Sequence, residues 1–530
     1  MHSPVDKLCY WHPLFASQGP QRQISADLCI YGGTAGGVIA AVQAARLGLR
    51  TVILEPGPKI GGMTASGLGL TDLGHKAAIG GLAREFYRRV GKEYGVSEAW
   101  TFEPHVAYNI FVEWLKEDDI EFYTREFVDS VEKEGKRVTA VRTQAGLVVR
   151  ASMYIDASYE GDLMAAVGVN YTVGREGNAK YGEKLNGAQI HSKHQFDIAV
   201  DPYVVPGDPA SGLVFGIEPG QPVVGAEDHR VQAYCFRVCM SDDPVNRVPF
   251  SKPADYNPNL YILHQRYLAA GWRDIFTKFD RLRVKSKTDT NNHGATSTDF
   301  IGQNYAWPCA DYNTRERIFQ AHIAYQQGLH WFMANAPVVP QDVRERYASW
   351  GLARDEFVET GGWPHQLYVR EARRLVSDYI MTEHECRGAR VAPNPVALAA
   401  YTMDSHNCRR FAVNGRVWNE GDVQEHGFPP YPIDYRAITP RASECENLLV
   451  PVCLAASHVA YGSIRMEPVF MVLGQTAATA AAMAISEQCS IQDVPYADLR
   501  MALLRGGQIL EWKGGEALSI DTVNPHESGS

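Results

Sequence analysis

The 530-residue chain sets 51 lysines and arginines against 61 aspartates and glutamates, a net charge of −10 with a pI near 6.0. That balance lacks the broad basic face that nucleic acid or an anionic membrane surface requires. An apolar share of 45% and a charged share of 21% describe a soluble globular chain, and the length predicts several units at ~150 residues each.

The opening stretch from Met1 to Ser25 carries no apolar run of the kind a secretory signal needs. The ten cysteines form no Cys-x-x-Cys pair and no zinc-like Cys/His spacing, so they are expected to be reduced and mostly buried. Asp27–Tyr31 has strand composition and runs straight into Gly32-Gly33-Thr34-Ala35-Gly36-Gly37. A small-residue helix follows to Gly48, then a second strand, Arg50–Leu54, closed by Glu55. This is the strand–turn–helix–strand–acid order of a dinucleotide-binding unit. Gly32 makes the tight turn, Gly37 lets helix and strand approach, and the helix N-terminus offers N–H groups to a pyrophosphate. Glu55 stands where a carboxylate would accept from a ribose. Thr34 departs from the general pattern, because it takes the place of the middle glycine.

The glycine-rich loop Pro56–Asp72 lets backbone run beside an extended ligand. Strands at Ile120–Tyr123 and Val138–Thr143 flank Val128–Val131, a hairpin that brings the Val128 backbone toward an adenine edge. Val149–Ala157 is predicted as one strand leading through Ser158–Leu163 into a helix. Near the C-terminus, strand Asn447–Leu454 leads through the loop Ala455–Arg465 into a helix starting near Met466. Its apolar stretch Pro468–Ile485 is rich in Gly, Ala and Thr and holds Gln475, so it is predicted to be a buried helix and not a membrane span. Loops from both ends of the chain converging on one ligand favour FAD over NAD. The last residues, His526–Ser530, are expected to be loose, and the sequence does not specify an oligomeric state.

The middle of the chain shows a strand at Val231–Met240 and helices at Arg315–Met333 and Val369–Glu383. It has no second glycine-rich turn, which predicts reoxidation by oxygen or another small acceptor and no dedicated NAD(P)H domain. Flavin chemistry asks the protein for a proton acceptor and for positive charge near the ring. Arg465, just before the C-terminal helix, is a candidate cation, though a surface or phosphate-facing arginine fits equally. His458, on the strand-to-helix loop, is a candidate proton acceptor or a backbone-holding residue. His293 sits among Lys287, Asp289, Asn291 and Asn292, either in a substrate pocket or in a solvated loop. Arg370, Glu371, Arg373 and Arg374 fall on the predicted helix, where most of the charge reads as salt-bridged surface; only Arg370 among them is a site candidate, and His406 is a similar one. His191 and His194 share a helical spacing without a carboxylate partner, so no metal site is predicted. Cys235 and Cys239 share a strand face too far apart to bond and read as buried thiols.

At this point the chain resembles the FAD-dependent oxidoreductases of the glutathione-reductase-like, two-dinucleotide-fold class, in the branch labelled FAD dependent oxidoreductase. The resemblance is carried by IYGGTAGGVIAA, IGGMTASGLG, FEPHVA, IDASYEGDLMAAVGV, KTDTNNHGATSTDFIG, WPHQLYVREARRLVSDY and ASHVAYGSIRMEPVFMVLGQTAATAA, in order from about Asp27 to Ser486. That branch tends to read GGT at the turn, so Thr34 fits it. The resemblance implies FAD contacts at Gly32, Gly33, Thr34, Gly37, Glu55, Gly62, Met63, Val128, Asp162 and the segment His458–Met466. It implies an α/β fold with a Rossmann-like FAD-binding domain built from both chain ends, residues 25–170 and 431–500. An α+β substrate domain over 171–430 is inserted, and 501–530 form a tail. The expected protein is a cytoplasmic flavoenzyme that takes a hydride from a C–H next to oxygen or nitrogen on a small polar or aromatic metabolite. Two alternatives are a reductase of activated double bonds and a non-catalytic flavin-binding or redox-sensing protein.

Overall fold

Five short parallel strands lie in the order Leu448–Leu449, Met153–Asp156, Leu28–Tyr31, Thr51–Glu55 and Glu121–Thr124. The three central strands are buried almost throughout, as expected of strands covered on both faces. The computed structural model describes residues 8–16 and 22–514; the expectation for His526–Ser530 and part of that for Met1–Ser25 lie outside the described residues.

Helix Ala35–Arg46 packs on this sheet and crosses helix Glu467–Glu487 at two glycines. A Cβ on Gly474 would stand 2.1 Å from the Gly36 carbonyl oxygen, so the crossing tolerates no side chain there. Glu467–Glu487 is long and apolar enough to cross a membrane, yet 78% of its most apolar window is buried inside the protein. Small Ala, Gly and Thr side chains let it pack against the first helix, the predicted buried role.

The predicted strand Val149–Ala157 is in fact two. Leu147–Arg150 belongs to a second, four-stranded sheet with Arg22–Ser25, Arg137–Thr143 and Val128–Glu134, and Met153 opens the parallel strand. The Tyr154 hydroxyl accepts from Ala151 N at 2.9 Å and fixes the break. Asn447–Leu454 likewise contributes only Leu448–Leu449 to the sheet.

A five-stranded antiparallel sheet lies in the middle of the chain, in the order Arg247–Val248, Gly351–Ala353, Val238–Ser241, Lys287–Thr290 and Phe279–Arg281. Helix Tyr312–Asn335 is also part of this region. Val231–Arg237 is buried but stays outside the sheet, and its one bridge runs from Cys235 to Tyr368. Lys287–Thr290, which reads as too hydrophilic for a core, is a buried strand because its polar side chains are partnered. Lys287 Nζ meets Glu356 at 2.9 Å, and Asp289 meets Arg237 at 2.7 Å.

Val369–Glu383 is not the predicted helix. It is extended, with a two-residue strand at Arg374–Leu375, and Arg370, Glu371, Arg373 and Arg374 are all buried. A helix would stack Arg370, Arg373 and Arg374 on one face, whereas extended chain sends neighbours to opposite sides. Arg370 therefore reaches the Ala233 carbonyl and Asp299, Arg373 reaches Asp162, and Arg374 reaches Glu176.

Candidate cofactor and active site

The glycine turn is sterically determined. Gly32 has φ +96°, and a Cβ there would lie 2.5 Å from Ser158 N; a Cβ on Gly37 would lie 2.0 Å from the Gly32 carbonyl oxygen. Thr34 has ordinary extended backbone, φ −62°, so nothing at that position demands glycine. Its hydroxyl accepts from Gly37 N at 3.2 Å, capping the helix, and donates to the Ala157 carbonyl at 2.8 Å. The threonine thus ties the helix start to the end of the neighbouring strand Met153–Asp156.

Glu55 accepts from Gly33 N at 2.6 Å and from Gly57 N. Burial pushes its carboxyl up to about 7, against the pull of those two N–H groups. Further along, a Cβ on Gly62 would stand 2.3 Å from the Tyr159 hydroxyl. That hydroxyl accepts from Met63 N at 2.9 Å and donates to Glu467 at 2.7 Å, and the Thr64 hydroxyl donates to the other Glu467 oxygen at 2.8 Å. Burial raises Glu467 to about 7 as well, with the Tyr159 and Thr64 hydrogen bonds opposing.

These groups line one cleft running from Glu55 past Gly32 and Thr34 to Gly62, Tyr159 and His365. Cys9 and Tyr10, from the segment before the first strand, close one side of it. Tyr10 wedges against Trp307 and Phe127, and its N–H donates to Glu316 at 2.7 Å. His365 holds Ser66 at 2.9 Å; burial, aided by Lys59 and Arg125, pushes its imidazole down to about 3, so it is neutral.

Val128 and Asp162 line a neighbouring depression with Trp11, Gln144 and Tyr312. Val128 N donates to the Tyr31 hydroxyl at 3.2 Å, and its carbonyl accepts from Tyr312 at 2.8 Å. Asp162 accepts from Arg315 at 2.8 Å and from Arg373 at 2.6 Å. Burial disfavours the Asp162 charge, but the two guanidiniums, Arg315 foremost, hold its carboxyl below the usual range.

His458 is not on a loop: Ser457 caps a short helix, His458–Ile464, that begins at it. Its Nδ1 meets Glu371 at 2.8 Å and its Nε2 meets Ser405 at 3.1 Å, so both ring nitrogens are engaged. Arg465 ends that helix, and buried Met466 caps the next. The Arg465 guanidinium contacts Asp404 at 2.8 Å and donates to the Tyr368 hydroxyl at 3.0 Å. Tyr368 directly follows Gln366 and Leu367, both on the cleft wall.

His293 lies elsewhere, paired with Asp274 at 2.7 Å in a separate cavity beside Trp272. The polar residues around it in sequence disperse. Lys287 joins Glu103, Asp355 and Glu356, so its ammonium stands beside Glu103 and Glu356, two acids that with His105 are spaced closely enough to hold a metal. His191 and His194 do find a carboxylate, Asp422 at 3.4 and 2.8 Å, from a segment too distant for spacing to reveal.

The main buried array joins Arg465, Arg370 and His406, all singled out in the sequence, through two aspartates that sequence reasoning missed. His406 Nδ1 meets Asp299 at 2.8 Å, its Nε2 lies 3.4 Å from Asp404, and Arg370 meets Asp299 at 3.0 Å. Arg465 closes the series through Asp404. Burial alone would raise both aspartates, but Arg370 and His406 hold Asp299 well below the usual carboxylate range, and His406 and Arg465 do so for Asp404. Tyr159, His365 and Glu467 were legible only as letters within the quoted motifs.

A parallel sheet with a glycine turn, a buried strand-end carboxylate and an N-terminally capped helix beside one cleft defines a dinucleotide-binding architecture. The positions where a Cβ would fill the turn, together with Glu55, suit an extended dinucleotide. The family model described as FAD dependent oxidoreductase matches residues 27–503. The chain belongs to that family, it is an FAD-dependent oxidoreductase, and FAD is its cofactor.

No curated protein matches the chain. Among solved structures, it is similar to 3-ketosteroid-delta4-(5alpha)-dehydrogenase from Rhodococcus jostii RHA1, at 15% identity over 25% of this chain and 45% of that one, TM-score 0.20. It is similar to L-amino acid deaminase from Proteus vulgaris at 15% identity, over 35% and 56% of the two chains, TM-score 0.25. For L-proline dehydrogenase from P. horikoshii the figures are 13% identity, 30% and 59%, and 0.24. In each case the match spans less than two thirds of the other chain.

Proposed function

We propose that the enzyme removes a hydride from a C–H adjacent to oxygen or nitrogen on a small polar or aromatic metabolite, with oxygen or another small acceptor completing turnover. In this reading residues 25–170 and 431–500 hold the cofactor and 171–430 shape the substrate site. The supporting observation is the buried series Arg465–Asp404–His406–Asp299–Arg370, which adjoins the cleft wall through Tyr368. Bound FAD supplies a two-electron acceptor for the hydride. Arg465 supplies fixed positive charge at the start of helix Glu467–Glu487, whose N-terminus adds a positive dipole end. The proton of the substrate O–H or N–H leaves through this series, in which His406 bridges Asp299 at Nδ1 and Asp404 at Nε2 and fixes both carboxylates. His458, held on both nitrogens, positions the helix start and does not accept the proton.

Anaerobic mixing with alcohols, 2-hydroxy acids and amines should bleach the flavin band with at least one substrate class. His406→Asn should slow that bleaching by roughly 100-fold or more while the protein stays yellow. Bleaching by no member of the panel, or wild-type rates in the variant, would overturn the assignment.

A further inference from the structure

The middle region holds a second built site, remote in its lining from the cofactor cleft. Strand Arg409–Val413 lies between Ile217–Glu218 and Arg416–Glu420, and its alternation sends two adjacent arginines to opposite faces. Arg409 finds Glu420 and Glu218 at 3.6 and 3.8 Å. Arg410 finds no acid: its side chain's only hydrogen bond among the described residues runs from Nη2 to the Ala295 carbonyl at 3.1 Å, although it is only 7% exposed. Asp299 attracts it from a distance but is already committed to Arg370 and His406.

A guanidinium cannot escape burial by losing its proton, so a buried and unpaired one calls for an anion. The space Arg410 faces is lined by Phe215, Leu263, Phe300, Tyr325, His264 and Thr296. Three buried polar atoms there have no partner: Arg410 Nε, Thr296 Oγ1 and His264 Nε2. Burial, with Arg410 nearby, pushes His264 down to about 3, so its ring is a neutral hydrogen-bonding group and not a competing cation. His264 and Thr296 also border an adjoining lobe walled by Trp272, Ile275, Phe279 and Leu329. A cationic end with polar flanks thus borders an aromatic and aliphatic end across His264 and Thr296.

We propose that this two-lobed cavity binds a small monocarboxylate with an aromatic or branched apolar body. The carboxylate meets Arg410 and Thr296, and the body lies in the Trp272 lobe. We place the site apart from the cofactor cleft, with which its lining shares no residue.

Calorimetric titration of the oxidised holoenzyme with phenylacetate and 3-methylbutanoate, and with the matching amides, tests it. At least one acid should bind, its amide at least tenfold more weakly. Arg410→Gln should weaken the acid at least tenfold and Thr296→Val by a smaller factor, with FAD content unchanged in both. Absence of binding by both acids, equal binding of acid and amide, or undiminished binding by Arg410→Gln would overturn the proposal. Should Arg410→Gln fail to fold, crystals of the unmodified holoenzyme with 4-bromophenylacetate decide. Bromine density in the Trp272 lobe supports the site, and density elsewhere or none refutes it.

Discussion

Thr34 gives the most discriminating perturbation, because its hydroxyl serves two elements at once. It caps the first helix through Gly37 N at 3.2 Å and satisfies the Ala157 carbonyl at 2.8 Å. Loss of an N-cap costs about 1 kcal/mol, and a buried carbonyl left without its donor costs about 1–3 kcal/mol more. Thr34→Ala should therefore destabilise the apoprotein by roughly 2–4 kcal/mol, and should weaken FAD binding by loosening the helix start that faces the diphosphate. Thr34→Ser keeps both hydrogen bonds and should stay within ~0.5 kcal/mol of wild type. Thr34→Gly restores the general turn sequence but lacks the hydroxyl, so it should resemble alanine and not wild type. Urea unfolding of the apoprotein and flavin-fluorescence titration measure the two quantities. If Thr34→Ala unfolds with wild-type stability, or serine falls as far as alanine, the double anchoring of the turn is refuted.

Gly37→Ala places a Cβ 2.0 Å from the Gly32 carbonyl oxygen, and neither backbone can yield without opening the turn, so the variant should be recovered colourless even with FAD in excess. Glu467 holds its proton more tightly folded, at about 7, than unfolded, at 4.5. Its contribution is thus present in full below the unfolded value and is lost as pH rises through the folded one, about 3 kcal/mol by pH 8. Glu467→Gln should flatten the fall in apoprotein melting temperature between about pH 5 and 8. An unchanged slope would show that Glu467 ionises normally in its buried place.

What the sequence disclosed and what it hid follow one physical line. The turn at Gly32, the acid at Glu55 and the buried helix after Met466 depend on residues within one or two turns of one another, so their spacing carries the geometry. The extended run Arg370–Arg374 has no such local logic. Its charges look like a solvated helix face until one knows that Asp162, Glu176 and Asp299 stand ready on different sides. The same holds for His406 between two aspartates and for Tyr10 against the cleft, each set by partners from other elements or from much further along the chain. Buried charge is costly unless paired, so a dense polar run in a chain with an otherwise ordinary surface is itself a signal: it belongs where distant counter-charges meet. By that reasoning the runs KTDTNNHGATSTD and REARR mark buried charge pairing more surely than any single histidine in them, and Arg410, buried with no acid against its guanidinium, is the one the proposed carboxylate would complete.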